Sequence, residues 1–273
     1  MYALMVGKKS PLHDWQPLLD WRKKARVALP SPPGRGSDFH DQVADLCSQI
    51  KSLSKFSTDR TDMYEHALYL KKAALDLDKS AQDWPGDDPK WQPRFVSPLT
   101  TPPDTAQSCG RPVQYFRDLF TLRHCNFFRA VRIVLHETLL QFDRINRGST
   151  AAPASSQSST DCRRALLSND ERRCCAKIIA DMADNILDTL PFLFGEVDSA
   201  GQMLSLKQGD MSILPGQTPT ASMSIWLLRM IKVSEHTSSP QKDRATESLY
   251  RIGRTLGVRQ ALTAAAASSE RPP

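Results

Sequence analysis

YFRDLFTLRHCNFFRAVRIVLHETLLQF, residues 115 to 142, carries the strongest helical period in the chain. On a wheel of about 100° per residue, Phe116, Phe120, Phe127, Val131, Val134, Leu135, Leu139 and Phe142 fall in one broad arc. Cys125, Arg129, Arg132 and His136 fall on the other side. An arc that wide predicts a helix buried against several neighbours. At ~1.5 Å per residue it is a rod of roughly 40 Å, the spine of the fold.

Working outward, helical signals flank this rod. Asp38 can cap a helix with Val43, Leu46, Cys47, Ile50 and Leu53 at spacings of three and four. A second helix is expected over 59–82, with Tyr64, Leu68, Leu75 and Leu77 apolar, stopped by Trp84-Pro85. Residues 83–110 form a proline-rich link that suits neither helix nor inner strand, with Trp84, Trp91 and Phe95 tacking it to the surface. Residues 148–165 and 198–219 read as loops. Between them Ser168-Asn169-Asp170-Glu171 can open a helix with Ile178, Ile179, Met182, Ile186, Leu187 and Leu190 on its stripe, bent or ended by Pro191. A short apolar helix follows over 221–233, with Trp226. No run alternates β-branched residues, so the fold is expected to be all-α.

The last helix, RATESLYRIGRTLGVRQAL from Arg244, sets leucines against arginines. Leu249, Ile252 and Leu256 lie within about 60° of one another, opposite Arg244, Arg251 and Arg254. Glu247, four residues before Arg251, interrupts what would be a phosphate-facing surface. Gly253 and Gly257 each cost about 1 kcal/mol of helix propensity. That cost makes sense where another helix approaches closely, or where Gly257 ends the helix in a left-handed conformation. The pattern favours packing over nucleic-acid contact.

Composition sets bounds. The 273 residues carry a net charge of +6, which permits an acidic partner without requiring one. No apolar run reaches the ~18 residues of a membrane span, and the first residues place charge after the apolar stretch, the wrong order for a secretory signal. An intracellular protein is expected. No two of the six cysteines stand in the C-x2-4-C spacing of a zinc site; reduced thiols and no metal are expected. Residues 1–37 read as a partly disordered basic, Pro/Gly-rich arm. Its cluster Arg22, Lys23, Lys24 and Arg26 is a candidate nuclear-import signal or a solvated charge run. Residues 268–273 are a tail.

Four blocks in order resemble the C-terminal regulatory region of fungal zinc binuclear cluster transcription factors. NFFRAVRIVLHETLL supplies Asn126, Arg129, Arg132, Ile133, Leu135, His136 and Glu137. LPFLFGEV supplies Pro191, Phe192 and Gly195; SIWLLRMIKVS supplies Trp226 and Leu228. IGRTLGVRQAL supplies Ile252, Gly253, Gly257, Val258, Gln260 and Ala261. Residues 126–262 carry the resemblance well, and 38–125 loosely. The family's proline after the tryptophan is Leu227 here, its Arg-x-Trp-Ile opening of the last helix is Arg244-Ala245-Thr246-Glu247, and its six-cysteine DNA-binding module is absent. The resemblance implies a nuclear, all-α regulatory domain over 38–267 with a long central helix. Its partners would be the transcription machinery or another regulator, and DNA is reached only indirectly unless a zinc cluster lies upstream of Met1. Membranes are not expected; a dimer is allowed.

Two alternatives stay open: a stand-alone helical interaction module that modulates another regulator, and an unrecognised helical enzyme. No Gly-x-Ser-x-Gly elbow or phosphate-binding glycine loop occurs, and His136-Glu137 lacks the second histidine of a zinc helix. No catalytic residue or cofactor is expected. Arg129, Arg132 and His136 either line a small anion pocket or pair with carboxylates such as Glu137 and Asp143 at the edge of the core.

Overall fold

A computed structural model describes residues 36–56, 60–82, 88–96, 112–148, 165–204 and 217–267. The import cluster Arg22, Lys23, Lys24 and Arg26 and the tail lie outside them. The described elements are α1 (Gly36–Phe56), α2 (Arg60–Gln82), β1 (Arg94–Val96), β2 (Val113–Tyr115), α3 (Leu119–Gly148), α4 (Asn169–Leu187), α5 (Leu190–Leu193), α6 (Gln217–Val233), α7 (Ser239–Thr255) and α8 (Arg259–Ala266). The architecture is all-α with one small antiparallel ribbon, in which Arg94, Phe95 and Val96 face Tyr115, Gln114 and Val113. Contacts cluster into two units, Met1–Gly86 with Val131–Ile178, and Asp87–Ala130 with Ile179–Pro273.

In the first unit, α1 buries Phe39, Val43, Leu46, Cys47 and Ile50, the period read from the sequence. α2 packs on α1 through a narrower stripe than expected. Ala67, Leu70, Ala74 and Ala81 are buried, with Asp78 in line among them. Leu68 is exposed instead, and Tyr64, Leu75 and Leu77 are half-buried. The alanines explain the shift: small side chains let helices approach, so the Ala face wins over the Leu face. Cys47 Sγ donates to Thr138 Oγ1 at 3.5 Å, tying α1 to the C-terminal half of α3. α4 opens on the capping box foreseen at Ser168: Glu171 N–H donates to Ser168 Oγ at 3.1 Å and Ser168 N–H to Glu171 Oε2 at 2.7 Å.

The second unit contains the ribbon, the N-terminal half of α3, the end of α4, and α5 to α8. The rod starts at Leu119, so Phe116 and Tyr115 precede it; Tyr115 belongs to β2, which the sequence reading had assigned to the helix. Val96, Val113 and Val197 form a small apolar cluster with Tyr115 and Met203. Trp91 anchors the proline-rich link, with Cys125 Sγ donating to its carbonyl at 3.4 Å. Phe95 does not tack it down; it is 56% exposed. α6 starts at Gln217, earlier than expected.

The basic stretch from Arg244 is not one helix. α7 begins at Ser239 on a Ser238–Gln241 capping box, ends at Thr255, and α8 folds back upon it. Gly257 makes the reversal, at φ 69°, which L side chains rarely adopt. Gly253 serves the other expected purpose. A Cβ there would fall inside the Leu262 side chain, and Leu262 N would lie 3.2 Å from it. Leu249, Ile252 and Leu256 are buried as the wheel predicts. Lys232 fastens the arrangement: its buried ammonium donates to the carbonyls of Ala264, Ala265 and Ala267 at 3.3, 2.5 and 2.6 Å, at the C-terminal end of α8.

Candidate functional site

The polar side of the rod is where the candidate residues sit, and it is not a solvent face. Cys125 and His136 are 4% and 1% exposed. Each unit meets that side with its own polar partners.

In the second unit Arg129 is the hub. Its Nη1 donates to Asn126 Oδ1 and to the Asn185 carbonyl, both at 2.9 Å, and its Nη2 donates to Gln114 Oε1 at 2.7 Å. Gln114 Nε2 donates to Asn185 Oδ1 at 2.9 Å, and its N–H to the Asp188 carbonyl at 2.9 Å, fixing β2 to the end of α4. Asn126 Nδ2 donates to Thr189 Oγ1 at 2.8 Å, and Thr189 Oγ1 to the Ile186 carbonyl at 2.6 Å. All three acceptors on the guanidinium are neutral oxygens. Burial lowers its pKa to about 10, softened by Cys125 and Asp188, so Arg129 stays cationic at neutral pH. The same burial pushes the Cys125 thiol up to about 11. Asp188 itself pairs with Arg244, at 3.2 Å.

In the first unit the centre is Asp78. Arg132 grips it with two parallel bonds, Nε to Oδ1 at 2.7 Å and Nη2 to Oδ2 at 3.0 Å. His136 Nε2 lies 3.2 Å from Oδ1 in a contact poorly aligned for a hydrogen bond. Burial alone would raise the Asp78 pKa; His136 and Arg132 outweigh it and hold the carboxyl well below the usual range. Asp143, fully buried, accepts from Leu167 N–H at 3.0 Å and Arg172 Nη1 at 3.2 Å, and pairs with Arg147. The carboxylate for Arg132 and His136 is therefore Asp78, not Asp143. The three residues divide between two clusters, with Arg129 in one and Arg132 and His136 in the other. Burial pushes the neighbouring Cys175 thiol up to about 12, the opposite of an activated nucleophile. Among the described residues no group of three or more His, Cys, Asp and Glu side chains is placed to hold a metal.

The remaining singled-out residues are structural in their immediate contacts. Pro191 starts the single turn of α5 and Gly195 leaves it at φ 74°. Behind that turn, Phe194 is covered by the Arg251 guanidinium at 3.9 Å, and Arg251 pairs with Glu196 at 2.5 Å. Arg244 and Arg251 are thus held by carboxylates of their own unit rather than presented to phosphate. Gln260 is exposed on α8. Trp226 stands half-buried on α6, edge-on to Phe127 at 5.9 Å. The two form one side of a shallow recess that Arg123, Met223 and Ser224 also line.

Sequence reasoning missed the partners: Gln114, Asn185 and Thr189 around Arg129, Asp78 for Arg132, and Lys232 for α8. One signal was present. Asp78 continues the i, i+4 line of Leu70 and Ala74, so an acid sits on a buried stripe and requires a cation opposite.

No family model, curated protein or solved structure matches this chain.

Proposed function

We propose that this chain is a regulatory domain of a transcription regulator, acting through protein contact rather than catalysis. The observation that carries the reading is that residues in or beside the four blocks of the resemblance touch one another in the second unit. Asn126 of the first block bonds Thr189, beside the Pro-Phe-x-x-Gly block. Phe127 of the first block stacks edge-on with Trp226 of the third. Arg251, the residue before the fourth, covers Phe194 of the second. Segments that carry the motifs, far apart in sequence, meet in one packed region, which is what a family constraint on that region would produce. The polar side chains of the motif are engaged in holding helices together, which suits a scaffold for partners better than a reaction centre.

The test is a tethering assay. The full chain is fused to an unrelated DNA-binding domain and a reporter bearing that domain's site is measured in fungal cells. A severalfold rise or fall relative to the DNA-binding domain alone is expected. Unchanged reporter output with normal expression and nuclear fluorescence of the fusion would overturn the reading.

A further inference from the structure

Six serines or threonines stand directly before a proline: Ser10, Ser31, Ser97, Thr101, Thr218 and Ser239. Of these, Ser239 alone also has a lysine or arginine two residues beyond that proline, in Ser239-Pro240-Gln241-Lys242. This stretch lies on the surface at the start of α7. Ser238, Ser239 and Pro240 are exposed, and Lys242 is half-buried. The two adjacent hydroxyls differ in what they do. Ser238 is the N-cap, its Oγ accepting from Gln241 N–H. Ser239 Oγ makes a long surface contact instead, donating to the exposed Asp243 Oδ2 at 3.4 Å. The helix start depends on the first hydroxyl and not on the second.

Each part of the stretch has a chemical reader. An enzyme site that presses the residue after the acceptor against apolar surface selects proline, which brings no N–H to be buried unpaired. An anionic group farther along such a site selects the cation two residues on. The two preferences together are those of proline-directed protein kinases. The helix also accommodates the product. α7 has no acidic residue in its first turn, whereas α4 opens with Asp170 and Glu171. A phosphate would give the positive end of α7 the negative charge it lacks, with Lys242 one turn on. Asp243 opposes it across exposed surface, where salt screens the repulsion.

We propose that Ser239 is a phosphate acceptor for a proline-directed serine kinase using MgATP. The Ser239 Oγ–phosphorus bond forms as the bond from the γ-phosphorus to the β,γ-bridging oxygen breaks. The hydroxyl proton passes to the aspartate of the kinase, and ADP leaves with the bonding pair. The kinase must first straighten the opening turn of α7. That turn is held by the Ser238–Gln241 cap, by Lys242 N–H on the Ser238 carbonyl at 3.0 Å, and by Gln241 Nε2 on the Ala180 carbonyl at 2.9 Å. All three lie at a helix end, which opens without unfolding the rest of the helix. The assignment is independent of the transcription reading above.

The test incubates the full chain with a cyclin-dependent kinase and MgATP, and follows the phosphopeptide covering 234–246 by mass spectrometry. Phosphate should accumulate on Ser239 and not on Ser238. Thr218-Pro219, which also opens a helix but has Ala221 where Ser239 has Lys242, serves as an internal comparison and should react more slowly. Pro240→Ala and Lys242→Ala should each slow the Ser239 reaction by about tenfold or more. Both replaced residues lie outside the core, so the variants test recognition rather than folding. Phosphate on Ser238 as fast as on Ser239, Thr218 matching Ser239, or unchanged rates in both variants would overturn the proposal. So would a full chain that stays unmodified at Ser239. A synthetic peptide of residues 234–246 then tells why: if it is modified, the fold of α7 shields the serine, and if it is not, the stretch is not read.

Discussion

Asp78 shows how one residue governs the behaviour of its unit. Its carboxylate is buried, gripped by Arg132 and contacted by His136. Replacing it, as in Asp78→Ala, takes from the half-buried Arg132 guanidinium the carboxylate it grips, which costs about 3 kcal/mol. The pH dependence has a definite sign. The folded pKa lies below the ordinary carboxylate value of about 4. The stabilisation is therefore fully present above that value, and falls away as pH drops toward the folded one. Urea unfolding of the wild-type chain should show declining stability on acidification below about pH 4, and Asp78→Ala a flatter profile over the same range. Parallel profiles would mean that Asp78 is not the group being protonated. The sequence showed the cations of this cluster, since Arg132 and His136 share a helix face, but not their acid. Choosing Asp78 among the acidic residues needed the rotation of α2, which its leucines misreported and its alanines set.

At the scale of elements, the two glycines of the last motif make separable predictions. Gly253→Ala would gain about 1 kcal/mol of helix propensity in isolation. In the fold its methyl would collide with Leu262, so α8 must shift. Hydrogen exchange should quicken across 259–266. Gly257→Ala meets no atom within 4 Å, but forces alanine to φ 69°. That change should cost about 1–2 kcal/mol through backbone strain, with the α7–α8 contact intact. If Gly253→Ala left α8 protection unchanged, the close approach would be wrong. Periodicity exposed most helices because apolar residues at 3.6 spacing are a long-range signal: α1, α3, α4 and α6 stand close to where their stripes place them. The two strands escaped because three residues are too few to alternate, and Tyr115 looked like the first turn of the rod. The break at Gly257 was one of the two readings its cost suggested, and its φ of 69° makes it the turn between α7 and α8.

At the scale of the molecule, the thiols report burial in each unit. Cys47, Cys125 and Cys175 are buried and Cys174 is exposed, and the three buried thiols are all pushed above their ordinary pKa by burial. Among the described cysteines, alkylation followed by mass spectrometry should label Cys174 within minutes under native conditions, and Cys47, Cys125 and Cys175 only on unfolding. Rapid native labelling of Cys125 would mean that the Trp91 anchor is loose. What the sequence could not convey at this scale is the division of the rod's polar side between two clusters: Arg129 and Arg132 are three residues apart, and only the elements that arrive opposite them separate their roles. The Arg129 hub has a consequence of its own. Its ligands are two carboxamides and a main-chain carbonyl, none of which gains or loses a proton in water. Acid that protonates Asp78 removes no hydrogen-bond acceptor from Arg129. Only a displacement can reset it, by turning the Asn126 or Gln114 amide or sliding the last turn of α4. The direct ligands of Arg129 therefore respond to amide orientation and helix position rather than to their own protonation.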